Sequence, residues 1–248
     1  MALLEYDLGE NIVAVADPRP LNYSKAFDVW KNAVDNQRNL ISELGFADSF
    51  DQRVLLAGNN GRHIVEIVDD SHAGYDGVQT HLSLHAAFTK RRNAPLIFPS
   101  ADCPILMVSG KEYIGMVHAG RQELDERFVL EFFRQFPEPA EDIKVAVSPY
   151  IAPDNFAHVY LDLDRWSEWF DARAVSSKAN GLEKLDLGNM VLYDLKSVGI
   201  DDVIDKKIDT FELARRAPAY DPRNSHRFCY NRKMHAYEGR MGIVMVKK

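Results

Sequence analysis

Hydrophobic and polar positions along the chain form two kinds of pattern, short apolar runs and longer amphipathic stretches. The short runs predict β-strands, at residues 11–16, 54–57, 64–68, 105–109, 113–117, 143–147, 203–208, 227–231 and 242–246. The longer stretches predict helices, at residues 26–44, 80–92, 121–136, 163–174 and 190–198. The chain is therefore expected to combine strands and helices along its whole length.

One predicted β-hairpin carries the first candidate chemistry. The runs 105–109 and 113–117 flank a Gly-Lys-Glu turn, which is a typical hairpin pattern. The midpoint between Cys103 and His118 falls inside this turn, so a simple register places the two residues opposite each other, with Cβ atoms about 4.5–5.5 Å apart. A thiolate and an imidazole at that distance can share a metal ion or form a nucleophile–base pair. A buried cysteine and a hydrogen-bonded histidine without a chemical role are the structural alternative.

Composition narrows the class of protein. The 248 residues are 46% hydrophobic and contain no linker-like tract or repeat, which favours a single domain over residues 1–248. The net charge of −7 argues against general binding to nucleic acids or anionic membranes. No apolar run approaches the roughly 18 residues of a membrane span, and no signal peptide is evident. With only two cysteines there is no disulfide framework, so a cytoplasmic protein is predicted. The sequence indicates no oligomeric state.

Further candidate ligands and anion-binding residues lie elsewhere in the chain. His81 and His85 are four residues apart in the predicted helix 80–92, where they would share one face and could ligate a metal. A solvent-facing helix with two unrelated histidines is the preferred interpretation. The helix predicted from Arg121 follows Gly120, and such a helix start favours anions. Arg232 and Arg240, near a C-terminal turn, suit phosphate or carboxylate groups, although surface charge explains them equally well.

Several short motifs together point to one family. They are Ser-Ala-Asp-Cys-Pro at 100–104, His-Ala-Gly at 118–120, Ser-Pro at 148–149, Asp-Leu at 186–187 and Gly-Arg-Met at 239–241. This set resembles the laccase-domain or polyphenol-oxidase-like family, which includes bacterial peptidoglycan editing factors and related purine-nucleoside enzymes. The resemblance implies an α+β domain in which layered mixed β-sheets are flanked by helices. It also implies a centre of two histidines and one cysteine that holds zinc, or copper in the older assignment, with Cys103 and His118 as two of the ligands.

The chain departs from the family pattern at the same site. Asn60 lies where the family's first histidine ligand is expected, Arg121-Gln122-Glu123 replaces Trp-Arg-Gly after His-Ala-Gly, and Asp209 replaces a cysteine before Thr210. An amide oxygen is a weaker and harder donor than imidazole for zinc. Weak or absent metal is therefore predicted. The alternative is that His63, His81 or His85 supplies the third ligand.

Three functions remain open from the sequence. In the leading hypothesis, the protein is a metal-dependent enzyme that acts on purine nucleosides by phosphorolysis or deamination, with oxidation of phenols as the older family activity. Cys103 and His118 would hold the metal, and Asp102 would orient a ligand or transfer a proton. Phosphate or another anionic group would bind the substrate-binding residues Asn60, Arg121, Arg232 and Arg240. The other hypotheses are an inactive relative that binds a small ligand or partner, and a metal-free hydrolase in which Cys103 attacks and His118 is the base.

Overall fold

The computed structural model describes residues 3–16, 30–56, 63–69, 84–158, 175–179, 182–210, 212 and 241–248. The helix predicted at 163–174 and the strand predicted at 227–231 lie outside these residues. Within the helices of the described ranges, none is both long enough and apolar enough to cross a membrane. The single domain over residues 1–248 stays a prediction.

Three β-sheets are formed by the strands of the described residues. In chain order the elements are β1 (Leu3–Glu5), β2 (Ile12–Ala16), α1 (Trp30–Glu43), β3 (Val54–Leu55), β4 (His63–Glu66), β5 (Leu84–Thr89), β6 (Leu96–Ser100), β7 (Ile105–Ser109), β8 (Ile114–His118), α2 (Arg121–Asp125), α3 (Phe128–Gln135), β9 (Lys144–Val147), β10 (Ala157–His158), β11 (Val175–Ala179), β12 (Leu182–Leu185), α4 (Leu187–Ser197), β13 (Val203–Asp205) and β14 (Met241–Val246). One sheet has the order β1-β2-β14-β6-β3, the second β13-β9-β7-β8-β5-β4, and the small third β10-β12-β11. The two large sheets are mixed, because β3–β6, β4–β5 and β9–β13 pair in parallel while the other pairs are antiparallel.

The two large sheets face each other, and helices cover their outer faces. Val15 and Phe98 from the five-stranded sheet share one buried cluster with Met107 and Met116 from the six-stranded sheet. Alternate residues of the six-stranded sheet, such as Val108 and Val117, pack instead with Phe132 of α3 and Val191 of α4. On the other outer face, Ile97 and Val244 pack with Leu40 and Ile41 of α1. This arrangement of helix, sheet, sheet and helix confirms the α+β fold with layered mixed sheets.

Strand β5 occupies part of the predicted helix 80–92, so the helix prediction is wrong for residues 84–89. All six residues of β5 are buried, and the strand lies between β4 and β8. A strand inside a sheet that is covered on both faces needs no polar side, whereas the predicted helix would have exposed one face to water. His85 is therefore a core residue and does not lie on a solvent-facing helix.

The predicted helix 121–136 is two helices, α2 and α3, with a break at Arg127. This residue has a left-handed backbone conformation, with φ of 59°. The Arg127 guanidinium lies 3.3 Å from Asp194 of α4, so the break is fixed against a third helix. Leu124, Phe128 and Phe132 remain buried on one side, which explains why the apolar spacing resembles that of one continuous helix.

Candidate functional site

The β7–β8 hairpin presents Cys103 and His118 at its open end, but in a different register from the predicted one. Ile105 pairs with His118 and Ser109 with Ile114, so the same register extended beyond the strands puts Cys103 opposite Gly120. The turn is shifted because Gly110 N–H donates to the Tyr113 carbonyl, which makes Tyr113 part of the turn. The predicted direct opposition of Cys103 and His118 is therefore wrong. Their side chains are nevertheless in contact through a hydrogen bond.

Glu123 of α2 lies between two imidazoles. Its Oε2 is 3.3 Å from Nδ1 of His118, and its Oε1 is 3.4 Å from Nε2 of His85. The helix begins directly after Gly120, so its first turn brings the Glu123 side chain back over the end of β8. The carboxylate is buried. Sequence reasoning did not select Glu123 as a site residue, although a carboxylate at a position where the family pattern has glycine was the available signal.

A β-bulge brings His85 to the same place. Along the parallel pair β4–β5, His63 is opposite Leu84 and Ile64 is opposite Ala86, which leaves His85 as the extra residue. Bulges change the direction of a side chain and are frequent beside active sites. The ring centroid of His85 lies 5.8 Å from that of His118. Sequence reasoning considered His85 as a possible ligand but placed it on an exposed helix.

Gly120 allows these side chains to converge. A Cβ at this position would lie 2.7 Å from Glu123 Oε2, 2.8 Å from His118 Cε1 and 3.0 Å from Cys103 Sγ. On the other side of the site, the His118 ring stacks on Phe98 at a centroid distance of 5.5 Å. His118 is thus held between an aromatic ring and a polar cluster that a methyl group at residue 120 would displace.

The pKa values of His118 and Glu123 shift in opposite directions. Burial alone would lower the pKa of His118, but the adjacent Cys103 sulfur and the Glu123 carboxylate raise it to about 10. Burial alone would raise the pKa of Glu123, whereas its pairing with His118, its own backbone N–H and the charge of His85 lower it to about 2. The site therefore favours a positive charge, a proton or a metal ion, next to an ionised Glu123.

The cluster of His85, His118 and Glu123 could hold a metal ion. Its three ligand atoms, one from each residue, all lie within 4.8 Å of one another. Ligand atoms of a tetrahedral site with bonds of about 2.0–2.1 Å are about 3.3–3.4 Å apart, so shifts of about 1.5 Å at most would bring the three atoms around one ion. Nδ1 of His118 is buried and has no aligned hydrogen bond within the described residues. Two imidazoles and a carboxylate are also a donor set found in catalytic zinc sites, so the residues fit a metal.

The other predicted site residues that the structure describes do not belong to the cluster of His85, His118 and Glu123. Asp102 is buried; its Oδ1 accepts a hydrogen bond from Thr210 Oγ1 at 2.9 Å, and its carbonyl accepts one from Ile151 N–H at 3.0 Å. These bonds fix the loop that carries Cys103. Arg121 is half-buried at the first residue of α2, and His63 is exposed on β4. Asn60, His81, Arg232 and Arg240 lie outside the described residues, so their predicted roles stay predictions.

Comparisons with known proteins agree with this fold. The hypothetical protein YfiH from Bacillus licheniformis has a similar structure, with 16% identity and a TM-score of 0.77 over 100% of this chain and 97% of that one. YlmD from Geobacillus stearothermophilus has 17% identity and a TM-score of 0.73, over 97% and 93% of the two chains. A Neisseria meningitidis protein has 14% identity and a TM-score of 0.75, over 99% of each. At these identities the likeness is one of fold.

Sequence comparison identifies the family. A search among curated proteins found no match. Residues 18–247 match the family model described as multi-copper polyphenol oxidoreductase laccase, which confirms the resemblance seen in the Ala-Asp-Cys-Pro and His-Ala-Gly motifs. The departures at the site mark this chain as a divergent member. The chain belongs to the multi-copper polyphenol oxidoreductase laccase family.

Proposed function

We propose that this protein is a metal-dependent enzyme that acts on purine nucleosides, by phosphorolysis or by deamination. The observation that carries the proposal is the convergence of two imidazoles, a carboxylate and a thiol, from His85, His118, Glu123 and Cys103, at the ends of buried strands. A cluster of this kind is costly to bury unless its charges are compensated. The resemblance to purine-nucleoside enzymes of the family supports the choice of substrate.

The residues of the chain would have distinct roles in this reaction. His118 would hold the metal together with neighbouring donors, and the stacked Phe98 ring fixes the plane of its imidazole. A bound divalent ion supplies Lewis acidity and lowers the pKa of water. The hydrogen bonds of Asp102 to Thr210 and Ile151 keep the Cys103 loop in position. Arg121, the half-buried first residue of α2, would supply positive charge for phosphate or a similar anion.

The test combines metal analysis with product analysis. Purified protein, loaded with zinc, is incubated with inosine or adenosine in the presence and absence of phosphate. Phosphorolysis releases the free base only when phosphate is present, whereas deamination converts adenosine to inosine without it. We expect one of these products, its loss in His118→Gln, and little change in His63→Gln, an exposed histidine on β4, two strands from β8. If the zinc-loaded protein converts neither nucleoside, the proposal is wrong.

A second candidate is a metal-free hydrolase, because a thiol, an imidazole and a carboxylate contact one another in that order. Cys103 hydrogen-bonds to His118, and Glu123 lies on Nδ1 of the same ring. This order corresponds to nucleophile, base and orienting acid. Activity that survives removal of metal by a chelator and is abolished by Cys103→Ala would favour this candidate over the metal-dependent enzyme.

A further inference from the structure

We infer that Glu123 and His85 replace the ligand lost at Asn60, so that the metal site of this chain consists of two histidines and a carboxylate. The ligands would be His85, His118 and Glu123, and Cys103 would remain a neighbouring thiol outside the coordination sphere. This inference rests on the proposed metal dependence and specifies its ligands. It changes the expectation from weak or absent metal to a complete three-ligand site.

The number and type of donors support the exchange. A catalytic zinc site usually has three protein ligands and one open position, and two histidines with one glutamate are an established combination. Cys103 and His118 alone would provide two ligands, and the Asn60 amide is a weak third. Together with His118, the side chains of His85 and Glu123 provide three donors that zinc accepts, without the Cys103 thiol. The loss of an imidazole at residue 60 is thus matched by a gained carboxylate at residue 123, where the family pattern has glycine.

The geometry supports the same set. One carboxylate oxygen of Glu123 lies 3.3 Å from a nitrogen of His118 and the other lies 3.4 Å from a nitrogen of His85. The two contacts use different oxygens, so one carboxylate joins both imidazoles. One donor atom from each of the three residues lies within 4.8 Å of the other two, and closing these separations to the about 3.3–3.4 Å of a tetrahedral site needs shifts of about 1.5 Å at most. Cys103 is not a member of the group whose donor atoms all lie within 4.8 Å of one another. An ion between the imidazoles and the carboxylate would therefore be bound without the sulfur.

Two backbone features position His85 and Glu123. The bulge at His85 interrupts the β4–β5 pairing, and α2 begins immediately after Gly120. Both features direct their side chains to the end of β8. Because a carboxylate replaces a thiolate, the site would prefer borderline and harder ions such as zinc, cobalt or iron(II) over copper(I).

The decisive experiment measures zinc affinity by competition with a chromophoric chelator. Glu123→Gln and His85→Gln should each weaken zinc binding by about 100-fold or more, since even outer residues of metal sites contribute 10–100-fold. The matched controls are Glu126→Gln, an exposed glutamate just after α2, and His63→Gln on the neighbouring strand; both should stay within about threefold of the parent protein. Unchanged affinity in Glu123→Gln would overturn the inference.

A spectroscopic measurement tests the ligands independently of affinity. Cobalt(II) bound to the protein should show visible d–d absorption without a sulfur-to-cobalt charge-transfer band. A strong charge-transfer band would place Cys103 on the metal and overturn the inference. Glu123→Asp provides a second variant that keeps the charge, with an expected affinity between those of the parent protein and Glu123→Gln. Thermal melts of the metal-free proteins verify that each variant is folded.

The same samples separate this inference from the proposed function. If the zinc affinities follow the expected order but no nucleoside is converted, the proposed function fails and the ligand set stands. If nucleosides are converted in a zinc-dependent manner while Glu123→Gln keeps its affinity, the ligand set fails and the function stands. Absence of zinc binding by the parent protein overturns the ligand set directly, and chelator-resistant turnover would then identify the metal-free hydrolase.

Discussion

The two ends of the β7–β8 hairpin each combine a glycine with a carboxylate, but the carboxylates face different groups. At the turn, Glu138 accepts hydrogen bonds from the backbone N–H groups of Lys111, Glu112 and Tyr113, and a Cβ on Gly110 would collide with its carboxyl group. At the open end, Glu123 faces two imidazoles and lies against Gly120.

The difference shows that the groups facing a carboxylate determine its role in the protein. Backbone N–H groups keep their protons, so Glu138 can only hold the turn in place. An imidazole nitrogen can release its proton and bind a metal ion instead. The Glu123 carboxylate, which faces two imidazoles, can therefore take part in proton or metal binding. Both glutamates belong to the segment that carries α2 and α3, which runs along the sheet from one end of the hairpin to the other. The same segment therefore stabilises the turn and supplies the site.

The largest expected effect comes from Gly120→Ala. The added methyl group would lie within about 3 Å of Glu123, His118 and Cys103, so the ligands must separate. We expect zinc affinity to fall by about 100-fold and the free energy of unfolding to fall by about 1–3 kcal/mol. Gly110→Ala is the matched control at the turn, where the flexible Glu138 side chain can move aside. It should cost about 1–2 kcal/mol, because the displaced Glu138 carboxylate loses part of its bonding to the turn, and it should leave zinc affinity unchanged. Equal zinc affinities in the two variants would contradict the comparison.

An intermediate effect is expected from Glu138→Ala. Three backbone N–H groups lose their common acceptor, and hydrogen bonds to a charged group contribute about 1.5–3 kcal/mol when protected from water. Because this turn is partly exposed, water replaces part of the loss, and the expected decrease in unfolding free energy is about 2 kcal/mol in urea melts. Zinc affinity should not change. A loss of zinc binding would show that the turn and the open end of the hairpin are coupled.

A third carboxylate, that of the buried Asp194, extends the comparison, because only one of its oxygens is paired within the described residues. Its Oδ1 lies 3.3 Å from Arg127, whereas Oδ2 is buried without a hydrogen bond. Burial raises the pKa of Asp194 to about 6, although the Arg127 charge lowers it in part. The folded state therefore binds this proton more tightly than the unfolded state, and Asp194 contributes less stability as pH rises from about 4 to about 6.

Asp194→Asn should remove this pH dependence. The difference in unfolding free energy between the parent protein and the variant is expected to move by about 2 kcal/mol in favour of the variant between pH 4 and pH 6.5, since one pKa unit corresponds to about 1.4 kcal/mol. Chemical denaturation at several pH values measures the difference. A constant difference across this range would show that Asp194 keeps an ordinary pKa in the folded protein.

Much of the fold could be predicted from the sequence because apolar runs mark strands that are buried on both faces. The strands at 105–109 and 143–147 and the helix α1 illustrate this agreement. Residues 84–89 were the main failure. His81 and His85 have helical spacing, and the alanines that follow suit a helix as well as a strand. These residues form a strand because they are buried between β4 and β8, and this burial is a tertiary effect.

The candidate site could be predicted only in part for a related reason. Cys103 and His118 belong to recognisable motifs, so their selection needed no structure. The contact between His118 and Glu123 depends on the residue at which α2 begins. The position of His85 depends on a bulge where β5 pairs with β4. Even the turn of the hairpin is held by Glu138, which lies 25 residues after Tyr113 in the chain. Such long-range constraints leave no local pattern.

The central position of β14 has a consequence for the synthesis of the protein. This strand lies between β2 and β6 and pairs Val246 with Ile12 and Met245 with Leu96. Until residues 241–246 have left the ribosome, β2 can pair only with β1 and β6 only with β3, so each neighbour exposes the edge that β14 will cover. Closing a sheet between residues more than 200 positions apart is slow, and exposed strand edges favour aggregation. The nascent chain is therefore expected to be prone to aggregation until β14 is inserted.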